Sequence, residues 1–401
     1  MKKLILILFI AITACQNSHN SQSKDLRVID VEGGVGKGRL VKLSEVAESI
    51  EYIPLETNSE LMLGKIFYDR VFYEKGIFYL MERNQSTILF DKLGKYVNKI
   101  SKPGGGPRDV SMSLDMDVDH NSGNILFMEK QRIIEYSPNG ELINTINFRN
   151  NPLLAELHLN RFKKIGNNYL LQLHVNQKTK YSLMGLDTAT EVVSKILYPE
   201  QDYEIFSGEP LQVTQPNSFK YKESVRFING YSDYILNMST DLKIDTAYIM
   251  NFGKYKADIN NPDQFSFKAP WLWSRFEIYE SDSYLFMTYH LGPLSEKPSR
   301  IIGRRGPYDY QHECSVFNKK TGEFQFIHQP EINQLGFVED FEGGPAIWPK
   351  YVSSDGYLIT YMYARDFKSY ALTHKVSDKY KQMADSLNDN DNPVIVRVKL
   401  K

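Results

Sequence analysis

From residue 66 to residue 100, apolar runs of strand length (66–72, 77–81, 87–91 and 96–100) alternate with turn residues at Glu74-Lys75-Gly76, Arg83-Asn84-Gln85 and Lys92-Leu93-Gly94. Each run is bounded by residues that favour tight reversals, so the stretch predicts a four-stranded antiparallel meander. A single sheet of this kind cannot bury both its faces. Weaker copies of the pattern recur towards the C-terminus at roughly 40–50 residues, the signature of a repeat fold whose sheets pack on their neighbours. The prediction is an all-β fold, a β-propeller of four-stranded antiparallel blades.

Turn residues set the number of blades. Gly76 is echoed by Gly123 and Gly166, and the pattern of polar turn then apolar strand returns at Gly230-Tyr231, Ser281-Asp282 and Gly356. Six blades follow. A second signature marks the hairpin between the third and fourth strands, at 91–95, 137–141, 187–191, 240–243 and 318–322. Wider spacings after the third blade place insertions at 199–218, 254–273, 292–312 and 375–392, and insertions in repeat folds map to loops on a face. Two runs have no hairpin partner of their own, 49–55 near the start and 393–400 at the end. They are expected to pair and close the ring, with Pro54 suiting an edge position.

The first residues change the picture of where the protein resides. Met1-Lys2-Lys3 precedes an apolar run, 4–12, that is too short to span a bilayer and reads as a signal sequence. It ends in Ile12-Thr13-Ala14-Cys15, which resembles the lipobox of bacterial lipoproteins, so Cys15 is expected to be acylated and to hold the protein on a membrane. Residues 16–24 are small and polar, as a tether would be. The expected division is 1–14 signal peptide, 15–40 lipidated cysteine and flexible tether, and 41–401 six-bladed propeller. The absence of an acidic cluster directly after Cys15 favours an outer membrane anchor facing the periplasm. Gly33-Gly34-Val35-Gly36-Lys37-Gly38 lacks the spacing of a phosphate loop and reads as linker.

Composition adds little beyond this. Of 401 residues 42% are hydrophobic, enough for a large core without disulfides, and Cys314 is the one cysteine besides Cys15. The net charge is −1 with both signs interspersed, which gives nucleic acid no reason to bind.

The lipobox, the opening strand SIEYIPLET, the GGGPRD turn at 104–109, FEGGPAIWPKY at 341–351 and the closing PVIVRVKL together resemble the NHL-related six-bladed β-propeller lipoproteins of Bacteroidetes. The likeness covers the mature chain. It implies the fold, and it implies little about activity.

Candidate chemistry is sparse. Asp115, Asp117 and Asp119 lead into His120-Asn121-Ser122-Gly123, but a calcium loop needs glycine at His120 and glutamate at Leu126, so they read as a polar strand edge entering a turn. The eight histidines form no metal motif; His158, His174, His290 and His374 come from three different blades and would meet only around a central channel. No metal or cofactor is expected. Cys314 lies in an apolar strand and reads as a buried thiol. Aromatic and cationic residues gather in the insertions instead: Trp271, Trp273, Arg304, Arg305 and Tyr308, then Trp348 and Lys350 in the sixth blade. Such groups suit sugar rings, carboxylates or peptides; equally, the rings could fill gaps between blades. The expected function is a lipid-anchored cell-envelope module that binds a glycan or peptide, or scaffolds an envelope protein. The alternative is an NHL-like lyase or hydrolase at the mouth of the channel, with or without a metal.

Overall fold

The computed structural model describes residues 27–401 apart from 84–85, 101–108, 111, 156, 174–182, 197–216, 229–231, 257–271, 304–305 and 311. Six small antiparallel sheets stand in a ring as a six-bladed β-propeller. Blade one is the predicted meander, with strands Ile66–Glu74, Ile77–Glu82, Thr87–Asp91 and Tyr96–Ile100. The inner strands of the six blades are Ile66–Glu74, Asp115–Val118, Leu159–Ile165, Asn217–Tyr221, Trp273–Glu280 and Tyr351–Val352, and each touches the next around the circle. Because every blade is covered on both faces by its neighbours, second strands such as Ile125–Glu129 are buried along their whole length. The core is a series of layers between blades, for example Phe72, Leu89, Met116 and Phe127 between blades one and two.

The expected hairpins are present. In blade one Asp91 accepts the amides of Leu93 and Lys95 at 2.8 and 2.9 Å, an Asx turn that places Gly94 at a positive φ of 80°. Blade four differs from expectation: its first hairpin turns at Lys222-Glu223, between Asn217–Tyr221 and Ser224–Ile228, and Gly230-Tyr231 lies outside the described residues.

Ring closure is as predicted. Val394–Leu400 is the third strand of blade six, and Ala47–Pro54 pairs antiparallel with it as the outermost strand, Glu51 opposite Arg397 and Pro54 opposite Val394. Pro54 sits on the free edge, where its missing N–H costs no ladder bond.

The expected tether to residue 40 is a correction. From Arg27 the chain is laid on the ring: Arg27–Asp30 adds a fifth, parallel strand to the outer strand of blade four, Ile244–Asn251, with Ile29 and Val31 fully buried. Gly34 then packs so closely on blade five that a Cβ there would stand 2.7 Å from the ring of Phe324. Arg39 bonds the outer strand of blade five, its N–H donating to the Phe326 carbonyl and its own carbonyl accepting from His328 at 2.8 Å. The segment 27–54 is thus a belt over the outer edges of blades four, five and six. The glycines read as linker are its close-packing points.

A second correction concerns the insertions. Residues 363–393 contain two helices, Ala364–Thr373 and Asp378–Ser386, that cap blade six. Phe367 and Tyr380 stack at 4.0 Å, and Tyr52 meets both edge-on. Ser377 caps the second helix by accepting from Tyr380 N–H at 3.1 Å. The 292–312 insertion is a hairpin, Ser299–Gly303 with Gly306–Tyr310.

Candidate functional site

Strand alternation gives the ring two unlike ends. The hairpins joining first to second and third to fourth strands emerge at one end and are short. Connections from second to third strands, and from blade to blade, emerge at the other, and there the blade-five hairpin, the two helices and the 328–350 connection are placed.

Of the expected ligand-binding residues, Trp273, Tyr308, Trp348 and Lys350 lie on connections or strand ends at that second end. Trp273 opens the inner strand of blade five, opposite His290. Tyr308 lies on the inserted hairpin and is half exposed. Trp348 is half-buried: its ring stacks on Phe337 at 5.9 Å, meets Phe286 edge-on at 6.2 Å, and donates its N–H to Glu277 Oε2 at 3.0 Å. That ring fills the joint between blades five and six. Lys350 sits 5.4 Å above the Tyr361 ring. No ring contact joins Tyr308 to Trp348 among the described residues. Trp271, Arg304, Arg305 and Cys15 lie outside the described residues.

Beside Trp348 the FEGGPAIWPKY stretch has a physical reason. The loop folds around the buried carboxylate of Glu339, which accepts the amides of Phe341 at 2.7 Å, Glu342 at 2.9 Å and Gly344, and the hydroxyl of Tyr52 at 3.2 Å. Gly343 takes φ +73° and Gly344 packs against Tyr52, so the two glycines let the backbone wrap the anion.

The channel carries a chain of charges that sequence reading left apart. Asp115 and Asp117 share one side of their strand, and both are buried. Their carboxylates accept the exposed-edge amides of Phe162 and Lys164 in blade three, each at 2.9 Å, so they stitch blade two to blade three where no strand ladder exists. Arg70 of blade one meets Asp115 at 2.7 Å. Lys220 reaches past blade three to Asp117 at 2.6 Å and donates to the Val118 carbonyl at 2.7 Å. Burial pushes the Asp117 carboxyl up, but Lys220 and Lys163 outweigh it and hold it below its ordinary value. Lys164 bonds both Asp119 and Glu135, at 2.7 and 2.9 Å.

A second knot joins blades six, one and two. The Tyr351 hydroxyl donates to Glu74 at 2.6 Å and lies 3.1 Å from His120 Nε2, and Glu74 also accepts from Ser354 N–H at 3.0 Å. Burial pushes Glu74 up and pushes His120 down to about 3, so the imidazole is neutral at neutral pH. Among the described residues no group of three His, Cys, Asp or Glu side chains is placed to hold a metal. His290 is buried beside His312, His158 is exposed, His374 bonds Glu331, and His174 lies outside the described residues. Cys314 is buried, and burial raises its thiol well above the ordinary value.

A ring of six blades, each built on four antiparallel strands, with one elaborated end defines a six-bladed β-propeller. The chain belongs to the DUF4934 family, a domain of unknown function, which it matches over residues 26–399. Among solved structures it is similar to an exported protein of Bacteroides fragilis, with TM-score 0.61 at 14% identity over 90% of this chain and 99% of that one. A DUF4221 member from Bacteroides vulgatus gives TM-score 0.48 at 15% identity, over 89% and 97% of the two chains. Streptogramin B lyase gives 0.38 at 10% identity over 88% and 98%, too distant to bear on activity. Nothing matches among curated proteins.

Proposed function

We propose that this protein is a lipid-anchored binding module of the cell envelope, related to the NHL-type propellers, that takes a glycan or peptide at the elaborated end of the ring. The observation that carries this reading is the division of labour between the two ends. Hairpins at one end are kept to the minimum, while at the other blades five and six are extended by a hairpin and a helix pair. The charges lining the channel are consumed in pairs between blades, which suits a rigid support better than an acid–base machine. Sites held on rigid elements lose less entropy on binding.

The test is a screen of envelope glycans and peptides against the purified mature protein and its Arg304→Ala/Arg305→Ala variant. Binding should weaken at least tenfold, about 1.4 kcal/mol, with an unchanged melting temperature. Stoichiometric zinc or calcium in the purified protein would overturn the reading in favour of the enzyme. Cys15→Ser should release folded protein from the membrane fraction; retention after a high-salt wash would remove the anchor.

A further inference from the structure

Glu313, in the third strand of blade five, His312–Asn318, is 2% exposed and belongs to none of the knots described above. It stands on the returning arm of the inserted hairpin, and the outgoing arm is bonded to it twice. The Ser295 hydroxyl donates to Oε1 at 2.5 Å, and the Ser299 N–H donates to the same carboxyl group. These bonds pin the root of the loop that leaves the sheet after His290 and returns at His312. The other oxygen, Oε2, is buried and has no hydrogen-bond partner.

Glu313 lines a cavity of about 10 Å³ that is walled by Leu291, Leu294 and Phe326 and covered by Gly36 and Gly38 of the belt. The belt is tight there: a Cβ at Gly38 would stand 2.4 Å from the His328 ring. Such a space is at the lower limit for one water molecule, so a hydrated counter-ion does not fit. Nor do the surrounding groups offer an ionised Glu313 a partner. Glu296 lines the same cavity with the same sign of charge, and among the described residues no lysine or arginine lines it. His328 lines it too, but burial and then Lys297 hold that imidazole below its ordinary value, so it is neutral at pH 7. His290 and His312 neighbour Glu313 in the ladder, and by strand alternation they point to the other face of the sheet, with Cys314. Burial therefore pushes the Glu313 carboxyl up to about 7, although the two serine bonds oppose it.

We infer that Glu313 is a proton-operated clasp: protonated, it holds the root of the blade-five hairpin down under the belt, and ionised, it draws water into the cavity and lets the root open. A buried charge without a partner is costly, and opening is the one way to solvate it. With the closed carboxyl at about 7 and an open one at the ordinary 4.5, the closed form is fully favoured below 4.5. From there to 7 it loses ground about tenfold per pH unit, and above 7 the balance is level. The hairpin carries Tyr308, so the clasp sets how firmly one wall of the elaborated end is held.

Hydrogen exchange at pH 5, 6 and 7 tests this. The reporters are the amides of Ser299, Arg300 and Ile302, which are bonded to Glu313, Gln329 and Asn333. Corrected for intrinsic exchange, their protection should fall about tenfold per pH unit in the parent and stay level in Glu313→Gln, which keeps the acceptor and cannot ionise. The amides of Ile88 to Phe90 in blade one should show no such difference between the two proteins. A level profile in the parent, or the same slope in both proteins, would overturn the proposal. Should the variant fail to fold, carbon-13 NMR of the parent's side-chain carboxyls decides: a Glu313 midpoint below pH 6 overturns the clasp, and one at or above it upholds it. No ligand enters the experiment, so its failure would leave the binding reading as it stands.

Discussion

Blades four to six and blades one to three solve the same problem in different ways. In the first half the outer edges lie under the 27–54 belt, and the belt buries apolar side chains, Ile29 and Val31 on blade four and Val41 and Leu43 further on. In the second half no added strand covers the outer edges among the described residues, and Arg70, Asp115, Asp117 and Lys220 tie the inner strands of blades one to four together. Edge cover holds blades from outside by hydrophobic burial, whereas the channel charges hold them from inside by directed bonds. The two should fail differently.

The largest effect is expected where the belt and the ring closure coincide. Deleting 394–401 removes the strand between Tyr357–Met362 and Ala47–Pro54, freeing the belt's end and opening blade six. No cooperative melt should remain, and an unchanged melting temperature would break the comparison. Next comes Lys220→Met, which leaves Asp117 with the Lys164 amide and the more distant Lys163 ammonium at 3.7 Å. Removing one partner of a buried pair costs about 4 kcal/mol, to be read by urea unfolding. For the belted half, Ile29→Ala should cost about 3 kcal/mol through a cavity, while Ile143→Ala on the bare edge, at 52% exposure, should cost almost nothing. Equal losses at the two sites would mean that the edges are not handled differently.

A further effect, below those of Lys220→Met and Ile29→Ala, is one of pH. His120 has its folded pKa pushed down from 6.5 to about 3, so below 6.5 the unfolded chain takes up the proton first and stability falls as pH falls towards 3. At pH 5 the loss is about 2 kcal/mol, 1.36 kcal/mol for each pH unit below 6.5. Glu74, raised by burial, works in the opposite direction, so the clean measurement is the difference between parent and His120→Gln across pH 5–8. Superimposable pH profiles for the two would show that His120 is not held neutral by its surroundings.

Much of the fold was legible because a blade is local: the four strands of blade one are joined by hairpins whose turn residues stand next to the runs they end. Closure was legible too, since 49–55 and 393–400 had no local partner. The helices were not read, although Tyr380, Met383, Ala384 and Leu387 fall at helical spacing after the Ser377 cap; repetition of strands upstream made a loop the easier reading. Blade four misled because Gly230 resembles a turn glycine, while its first hairpin uses Lys222 at φ +54°. The channel charges left only a faint trace, the every-second-residue spacing of Asp115, Asp117 and Asp119, since their partners come from other blades. Trp348 was singled out for its place in a loop, and nothing local in sequence tells that Phe286 and Phe337 surround it.

The closure also fixes an order of assembly. Glu51 and Arg397 meet at 2.9 Å across 346 positions, and all the edges that the belt covers belong to blades four to six. During synthesis the 27–54 segment therefore has no partner until about 200 further residues have followed, and its last partner is the strand Val394–Leu400. Blades one to three can form from neighbouring hairpins as they appear; the ring cannot close before Val394–Leu400 has been made, and such distant pairing is slow. Until then 47–54 is an unpaired strand with Val46 and Ala47 at its head, open to the wrong partners. Glu48, Glu51 and Pro54 lie within it, charges and a missing donor that make it a poor template for other chains while it waits.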